Sequence, residues 1–436
     1  MFPFLALVAA APRHPLDAIA VAAYTGVFLA CVLLGVRRPA FAVAAMIALD
    51  PFHLSRDIGP TTITLPKAAL IGTALGLFIR RAPIRVLTQP AALLLLIGGV
   101  LIALTTALSI TQAQYPLEAL RQTFKAVEFL ALFAVVVVAL RADPDEDCVR
   151  LATAVTLVVV SVAAITQEFG TAPSVLRYGT EIIPRIAGPL EGPNQLAGYD
   201  GIALPVIAAF MLLRRPLLWE FAALGLGITA LLLTFSRAGI LTTLPALALV
   251  VVLAPSERRR TVAFLSAAAS FAGLAVLVAR AKTVAVLWHF GLIRNDYSAG
   301  GVGDRSILWH AALTLWRMHP WLGIGAGNFE FEIATVGPRG VKTHANSLYL
   351  QSLVEGGLPL LAAQLYTTAA SVMAFLRRSL REPLLLGAWI GSAALAAHQI
   401  VDFLVFYAKV GGMWWIVLGL AAARAGTIEE RCGKTN

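Results

Sequence analysis

Long apolar runs recur along this chain and constrain its fold more than any other feature. A helix needs about 20 mostly apolar residues to cross the hydrocarbon of a bilayer, and most of the runs approach or exceed that length. They cover residues 16–36, 40–50, 63–79, 90–110, 124–140, 151–168, 196–213, 217–234, 238–254, 261–279, 358–376, 384–405 and 410–424. The pattern predicts a polytopic, all-α integral membrane protein with about 12 (12–14) transmembrane helices.

The composition agrees with this class. Hydrophobic residues make up 59% of the chain and charged residues 13%, whereas about a quarter of the residues in soluble domains are charged. Membrane β-barrels have short strands that alternate apolar with polar residues, so the long apolar runs exclude them. Residues 1–11 lack a basic leader and a cleavage site, and we expect them to remain in the mature chain. The simplest organisation is one domain, residues 1–436.

Basic clusters occupy short segments between the apolar runs and indicate topology. The net charge is +10, but short loops rich in arginine and lysine stay on the cytoplasmic side of a membrane, so the charge does not indicate nucleic-acid binding. The clusters are Arg37-Arg38, Arg80-Arg81 with Arg85, Arg214-Arg215, Arg258–Arg260, and Arg377-Arg378 with Arg381. The connections that then face outward are 51–62, 111–123, 169–195, the Ser236-Arg237 junction, 280–346 and 406–409.

The longest outward connection, residues 280–346, is predicted to form the lid of an active site. Within it, Asp304 to His319 has the spacing of an amphipathic helix that lies in the membrane interface, with Asp304 as its N-cap. The apolar stripe of this helix consists of Ile307, Leu308, Ala311, Leu315 and Trp316. The glycine-rich stretch W-L-G-I-G-A-G-N-F follows, and its glycines allow tight turns and close backbone contacts.

Three arginines on the outward side could bind a diphosphate. Arg237 lies between two apolar runs, Arg305 begins the amphipathic helix, and Arg185 lies in the 169–195 connection. A guanidinium donates paired hydrogen bonds to phosphate oxygens and does not lose its proton. Each residue also has a structural interpretation: Arg237 as an arginine that reaches lipid phosphates, Arg305 as a solvated first-turn residue, and Arg185 as part of a plain connector.

The segment T-H-A-N-S-L-Y-L-Q-S-L-V-E-G-G-L-P carries the best candidate for a general base. His344 has an ordinary pKa near 6.5, so it can accept a proton from a sugar hydroxyl near neutral pH. Asn346 follows it as a candidate substrate-binding residue, and a helix is expected from Ala345 to Glu355, ended by Gly356-Gly357. Glu355 would share a face of this helix with His344 and either orient a sugar or stabilise the helix end.

Asp402 lies near the outer end of the run 384–405, four residues after His398. Carboxylates within a membrane are generally functional, although pairing with an arginine is an equally physical explanation. A His398–Asp402 pair on one helical face would also fit a proton relay, which keeps a proton-coupled transporter as an alternative. The polar residues gather at one face and not at the midplane expected of transporters, which argues against it.

No signature of a cofactor or metal site is evident. The chain has neither a Walker loop nor an H-E-x-x-H or C-x-x-C motif. Its cysteines, Cys31, Cys148 and Cys432, lie far apart and indicate neither a disulfide framework nor a metal site. We therefore expect neither a cofactor nor a metal.

In combination, three motifs resemble those of the O-antigen ligase/polymerase superfamily of bacterial membrane glycosyltransferases. They are S-R-A-G at 236–239, G-D-R-S-I-L-W followed by H-P-W-L-G-I-G-A-G-N-F within 303–329, and H-A-N-S-L-Y-L-Q-S-L-V-E-G-G-L-P at 344–359. The resemblance extends over about 180–405, while the N-terminal third agrees only in hydropathy. It implies a GT-C-like membrane enzyme with a long periplasmic loop that contains short helices.

The resemblance also implies an activity: metal-independent, inverting transfer of a glycan from undecaprenyl diphosphate to an acceptor hydroxyl. It gives Arg237 and Arg305 the role of diphosphate binders and His344 that of the residue acting on the acceptor, while Asp402 and Arg185 match a late acidic and a looser arginine position. The implied location is the bacterial inner membrane, with the site facing the periplasm. The acceptor would be lipid A–core in a ligase, which we favour, or the growing glycan in a polymerase.

Overall fold

The fold is described from a computed structural model. It describes residues 15–52, 55–58, 61–170, 172–178, 181–253, 305–337, 343–376 and 379–433, together with 266, 268, 269 and 273. The predictions for residues 1–11, for the run 261–279, for the first part of the long loop and for Asp304 lie outside the described residues.

The chain is predominantly helical, which confirms the predicted all-α class. The helices are α1 (Pro15–Arg37), α2 (Pro39–Leu49), α3 (Leu65–Arg80), α4 (Pro90–Ser109), α5 (Pro116–Ala142), α6 (Glu146–Thr166), α7 (Pro193–Leu213), α8 (Leu218–Leu233), α9 (Arg237–Leu253), α10 (Arg305–Met318), α11 (Phe329–Glu332), α12 (Leu348–Leu376), α13 (Pro383–His398) and α14 (Ala408–Gly433). Their order matches the apolar runs over the described part of the chain.

Six helices of the described chain are long and apolar enough to cross a membrane: α1, α4, α5, α6, α7 and α12. Four shorter apolar helices, α2, α8, α9 and α13, lie among them. Proline occupies the first helical residue of α2, α4, α5, α7 and α13, where its missing N–H would have no helical partner and its fixed φ favours helix formation. Long apolar runs with proline at their start thus become a polytopic helical bundle.

Helix α7 is the central element of this bundle. In its most apolar stretch of 18 residues, 94% of the residues are buried inside the protein. It packs closely against α13, where a Cβ on Gly387 would collide with the backbone of Val206. Its neighbours α8, α9 and α14 complete a core in which apolar side chains from distant parts of the sequence meet. Helix α7 begins at Pro193, and its N-terminal turn lies at one end of the bundle.

Arginines join the helix ends at the opposite end of the bundle, which we call the basic end. Arg80 donates hydrogen bonds to the carbonyls of Val36 and Ala142 at 2.8 and 3.2 Å. Arg424 forms ion pairs with Glu146 and Glu382 at 3.0 and 2.9 Å. Basic segments that are far apart in the sequence therefore share one end, in agreement with the grouping predicted from the charge pattern.

Two antiparallel hairpins, which the sequence analysis did not predict, lie in the connections before α3 and before α7. Strands β1 (Ser55–Ile58) and β2 (Thr61–Thr64) form one, and β3 (Ser174–Tyr178) and β4 (Glu181–Arg185) form the other. Both lie in predicted outward connections and are rich in the β-branched residues that favour strands. The second hairpin ends at Arg185, which brings this residue back to the bundle.

The two helices that follow the lid differ from their predicted bounds. Helix α12 begins at Leu348, not Ala345, and it continues through Gly357, which interrupts it with φ 65° and ψ −161°. Glycine adopts this conformation without the steric cost that a side chain imposes. Helix α13 ends at His398, so Asp402 lies in the following loop and not on a helix. The expected His398–Asp402 pair on one helical face is therefore wrong.

Candidate functional site

A chain of hydrogen bonds and charges at the end opposite the basic end joins four polar residues from distant elements. Arg185 donates from Nη2 to Oδ1 of Asn194 at 3.0 Å, and Asn194 donates from Nδ2 to Oδ2 of Asp402 at 2.7 Å. The same carboxylate oxygen lies 4.0 Å from Nη2 of Arg305. The structure thus brings together Arg185, Arg305 and Asp402, as the predicted topology required.

Each member of this network is positioned by a different element. Arg185 ends strand β4 and donates from Nε to the carbonyl of Thr234 at 2.8 Å, which ties the hairpin to the turn between α8 and α9. Asn194 is in the first turn of α7, and Arg305 is the first residue of α10. The network therefore depends on the tertiary arrangement of the hairpin, the central helix and the lid.

Asp402 is buried, with 5% of its surface exposed. Burial raises the pKa of its carboxyl above the usual value, while the backbone N–H of Phe403, the charge of Arg305 and the Asn194 amide oppose this shift. Its backbone carbonyl accepts a hydrogen bond from the N–H of Leu348 at 2.9 Å, so the loop after α13 holds the start of α12.

His344 lies in the short segment before α12 and packs against aromatic rings of the loop between α13 and α14. Its imidazole centroid is 4.3 Å from that of Phe406, 5.4 Å from that of Phe403 and 6.4 Å from that of Tyr407. Burial, and then the positive charge of Lys125, lower the pKa of His344 to about 4. The ring is therefore neutral at pH 7. Among the described residues, none forms a hydrogen bond with it, so its nitrogens can meet a substrate.

Asn346 fixes the course of the chain between His344 and α12. Its φ is 48°, in the left-handed region, which asparagine tolerates better than most residues with a side chain. Its side chain is half-buried and forms no hydrogen bond with the described residues. The structure thus shows a backbone role for Asn346, and the predicted contact with substrate stays a prediction.

A cavity of about 110 Å³ lies beside the aromatic rings that support His344. Its lining includes Lys125, Gln351, Glu355, Phe403, Phe406 and Trp415. Polar groups and aromatic faces thus alternate around it, an arrangement that suits a ligand with hydroxyls and C–H faces.

Glu355 is buried at this cavity and held by several donors. One carboxylate oxygen accepts from Nε2 of Gln351 at 2.7 Å and from the backbone N–H of Phe329 at 3.3 Å. Oε1 of Gln351 in turn accepts from the N–H of Ala345, the residue after His344. Glu355 therefore ties the lid to α12 and, through Gln351, to the His344 segment, and it also lines the cavity. Its predicted contact with a sugar stays a prediction.

The glycine-rich stretch of the lid packs against the break in α12. The N–H groups of Ile324 and Gly325 donate to the carbonyls of Val354 and Glu355, each at 2.9 Å. Gly323 and Gly325 have φ values of 66° and 97°, and a Cβ on Gly325 would collide with Ala113. These glycines hold the lid on the carbonyls that the break at Gly357 leaves without helical partners.

The amphipathic helix of the lid is confirmed as α10. Its buried face consists of Leu308, Ala311, Ala312 and Leu315, which pack with Ile324 and Phe329. Ile307, predicted to belong to this face, is 50% exposed. The helix packs against α12, and this contact places Arg305 beside Asp402.

Arg237 is the first residue of α9, and its side chain is exposed. No described residue forms a hydrogen bond or an ion pair with it. It follows the turn whose Thr234 carbonyl binds Arg185, so it lies at the same end of the bundle as the network. The structure does not bring Arg237 into that network, and its guanidinium can bind an anion from outside.

Two residues of the site were missed by the sequence analysis, Asn194 and Lys125. Lys125 donates from Nζ to the carbonyl of Phe406 at 2.9 Å, and its ammonium lies 4.0 Å from the centroid of the Phe406 ring. A lysine within an apolar run is a signal of function, and it was available in F-K-A-V-E at 124–128. Asn194 was missed because polar residues are common in the first turn of a helix, so its position gave no signal of function.

No group of three or more His, Cys, Asp or Glu side chains suited to a metal ion occurs within the described ranges. The ionisable groups near His344 and in the network include Arg185, Arg305, Lys125, Asp402 and Glu355. Such a set can accept a proton at one place and stabilise negative charge at another.

Comparison with known proteins identifies one family. The O-antigen ligase family model matches residues 222–365, a segment that contains Arg237, Arg305, His344 and Glu355. No curated protein matches the chain. The matched segment covers the lid and the helices on either side of it, whereas Arg185, Asn194, Lys125 and Asp402 lie outside it.

Proposed function

We propose that this chain, which matches the O-antigen ligase family model over residues 222–365, is a glycosyltransferase that moves a glycan from undecaprenyl diphosphate to an acceptor hydroxyl. The reaction takes place at the periplasmic face of the bacterial inner membrane. The observation that carries the proposal is an imidazole without a hydrogen-bond partner among the described residues, packed on the loop whose Asp402 lies 4.0 Å from Arg305. The acceptor we propose is lipid A–core, which makes the enzyme an O-antigen ligase.

His344 acts on the acceptor in this mechanism. A ring nitrogen of the imidazole accepts the proton of the acceptor hydroxyl while the hydroxyl oxygen attacks the anomeric carbon. The new glycosidic C–O bond forms on one face of the sugar, and the bond to the diphosphate breaks on the other, so the anomeric configuration inverts. The imidazolium then releases its proton to water or to the departing diphosphate.

The arginines act on the donor. Negative charge builds on the diphosphate oxygens as the C–O bond breaks, and guanidinium groups stabilise it through paired hydrogen bonds. Arg305 is 37% exposed and 4.0 Å from Asp402, so its guanidinium can bind phosphate while the carboxylate orients it. Arg237 is exposed and faces no competing carboxylate among the described residues, and Arg185 is oriented through Asn194.

A polymerase is the second candidate, because the matched family does not separate ligases from polymerases. In that case the acceptor is the growing glycan, and the residues keep the same roles. A proton-coupled transporter is less consistent with the structure, because Asp402 bonds to Asn194 while Nε2 of His398 is buried without a hydrogen-bond partner. The relay that motivated this alternative is absent between these two residues.

The test is glycan transfer by the purified protein in lipid bilayers. Undecaprenyl-diphosphate-linked glycan is supplied with lipid A–core, or alone so that only polymerisation can occur. We expect transfer to lipid A–core, and a loss of at least about 100-fold in His344→Ala and in Arg305→Ala, as for groups that act in the transition state. Matched controls are His310→Ala and Arg317→Ala, exposed residues of the same type on α10.

The outcomes separate the candidates. Chain extension without lipid A–core would identify a polymerase. Full activity of either site variant, with the protein folded and inserted, would refute the assignment of the site.

A further inference from the structure

The ring of Phe406 contacts both a cation and the proposed base. The ammonium of Lys125 is 4.0 Å from the centroid of this ring, and the imidazole centroid of His344 is 4.3 Å from it. Lys125 also donates a hydrogen bond to the carbonyl of the same residue at 2.9 Å. One lysine therefore contacts both the side chain and the backbone of the residue on which His344 packs.

The position of Lys125 is costly unless the charge has a use. It lies in the third turn of α5, within a helix apolar and long enough to cross the membrane, where charged side chains are rare and generally functional. The hydrogen bond that its ammonium donates goes to a neutral carbonyl, and no described carboxylate forms an ion pair with it. The charge of Lys125 is therefore not neutralised by direct contact.

The carboxylates near Lys125 are bound by other residues. Glu128 forms an ion pair with Lys67 at 3.1 Å, and Glu355 accepts hydrogen bonds from Gln351 and Phe329. Glu191 also interacts electrostatically with Lys125, and it forms an ion pair with Lys409 at 3.6 Å. These carboxylates therefore neutralise the charge of Lys125 only in part, and His344 is exposed to the remaining positive charge.

We propose that Lys125 is a positioning residue for the proton transfer: it holds Phe406 against His344, and its ammonium disfavours a lasting second positive charge on the imidazole, so that the proton taken from the acceptor is passed on. The proposal rests on the proposed function for the identity of that proton. Its physical basis is that a second positive charge next to an ammonium is unfavourable in a poorly hydrated site.

This arrangement also explains how the base is regenerated. Once protonated, the imidazolium lies near the ammonium of Lys125 and no described carboxylate forms a salt bridge with it. Of the groups around the ring, Phe403, Phe406 and Tyr407 are uncharged, and Asp402 is held by Asn194 and the N–H of Phe403. The proton is therefore released readily, and His344 returns to its neutral form before the next acceptor binds.

The experiment measures the protonation of His344 directly and needs no glycan. Diethyl pyrocarbonate reacts with neutral imidazole, and mass spectrometry of the peptide that contains His344 gives its modification rate between pH 3 and 8. The exposed His319 in the same sample serves as an internal standard. The proteins compared are the parent, Lys125→Met, Lys125→Gln and Lys125→Arg in lipid bilayers.

In the parent we expect the modification rate of His344 to stay constant down to about pH 5, because its pKa is about 4. In Lys125→Met and Lys125→Gln the midpoint should move upward by about 0.5 pH unit or more, since a nearby charge is lost. Lys125→Arg should keep the parent profile. Two neutral variants are used because one of them alone could fail to fold.

The matched control is Lys409→Met. Lys409 is also a buried lysine that donates to a backbone carbonyl, that of Pro189, but it does not contact the aromatic rings around His344. An unchanged midpoint in both neutral variants, or the same shift in Lys409→Met, would overturn the proposal. A shift without any glycan transfer by the parent would leave the Lys125 proposal standing and refute the proposed function instead.

Discussion

At the scale of single residues, the site depends on side chains that form hydrogen bonds with two other side chains at once. Asn194 uses both ends of its amide, accepting from Arg185 and donating to Asp402. A side-chain amide offers an acceptor and a donor with no net charge. Asn194 therefore joins Arg185 to Asp402, and the same carboxylate oxygen also lies 4.0 Å from Arg305.

Substitution of Asn194 should reduce activity by altering this bridge. In Asn194→Ala the buried carboxylate of Asp402 loses a hydrogen bond, which costs about 1–3 kcal/mol and is expected to lower the glycan transfer rate by about 10- to 100-fold. Asn194→Asp should be worse, because it places a second carboxylate beside Asp402. Transfer rates are measured at saturating donor. Gln89→Ala, which removes an amide bonded to Glu430 at the basic end, is the control and should keep its activity.

At the scale of elements, the lid depends on the break in α12. The carbonyls of Val354 and Glu355 receive the N–H groups of Ile324 and Gly325 because Gly357 turns the helix at this point. The motif E-G-G-L-P predicted an end to the helix here, and the backbone does leave the helical conformation. The helix then resumes after this kink, and its apolar run packs against α4 and α13.

Substitution of Gly357 with alanine should release the lid. The residue has φ 65°, and an added Cβ would overlap the carbonyl of Trp321, so the backbone of the lid or of α12 must move. We expect Gly357→Ala to lose most of its transfer activity and to make the lid more accessible to proteolysis. Gly225→Ala is the matched control, because nothing lies within 4 Å of the Cβ added there in α8. Equal activity of the two variants would contradict the proposed role of the break.

At the scale of the whole molecule, the basic end stabilises the bundle and the other end carries the site. Arg150 of α6 donates from Nε to Glu220 of α8 at 2.5 Å, and both side chains are buried. The same carboxylate accepts from the N–H of Leu217, and Arg150 also binds the carbonyl of Arg215. This cluster fastens the α7–α8 connection to α6, at the end of the bundle remote from His344.

Removal of one partner of this pair should affect stability and not chemistry. Glu220→Leu leaves the buried guanidinium of Arg150 without its carboxylate, a change that costs about 3–5 kcal/mol. Thermal unfolding in detergent should occur at a lower temperature, while the folded fraction keeps its specific activity. The double variant Arg150→Met/Glu220→Leu should recover part of the loss, since no charge is then left unpaired. A loss of activity per folded molecule would argue against the separation of the two ends.

Much of the architecture could be predicted from local features. The apolar runs predicted the order of the helices and the bounds of several of them to within a few residues, whereas the bounds of α5, α12, α13 and α14 differ by more. The hydropathy pattern is informative because exposing polar groups to hydrocarbon is costly. The amphipathic spacing predicted α10. The hairpins and the end of α13 at His398 were missed, since short strands and helix ends depend on contacts that lie far apart in the sequence.

The sequence by itself determined the membrane class, the family motifs and the chemical types of the candidate residues, since hydropathy and side-chain chemistry are local properties. Only the tertiary structure decided that Asn194 joins Arg185 to Asp402, that Lys125 reaches the ring beneath His344, and that Arg237 stays outside this network. The physical reason is the packing of the helices around α7. That packing sets which side chains meet at one end of the bundle, and it buries His344 enough to keep its imidazole neutral.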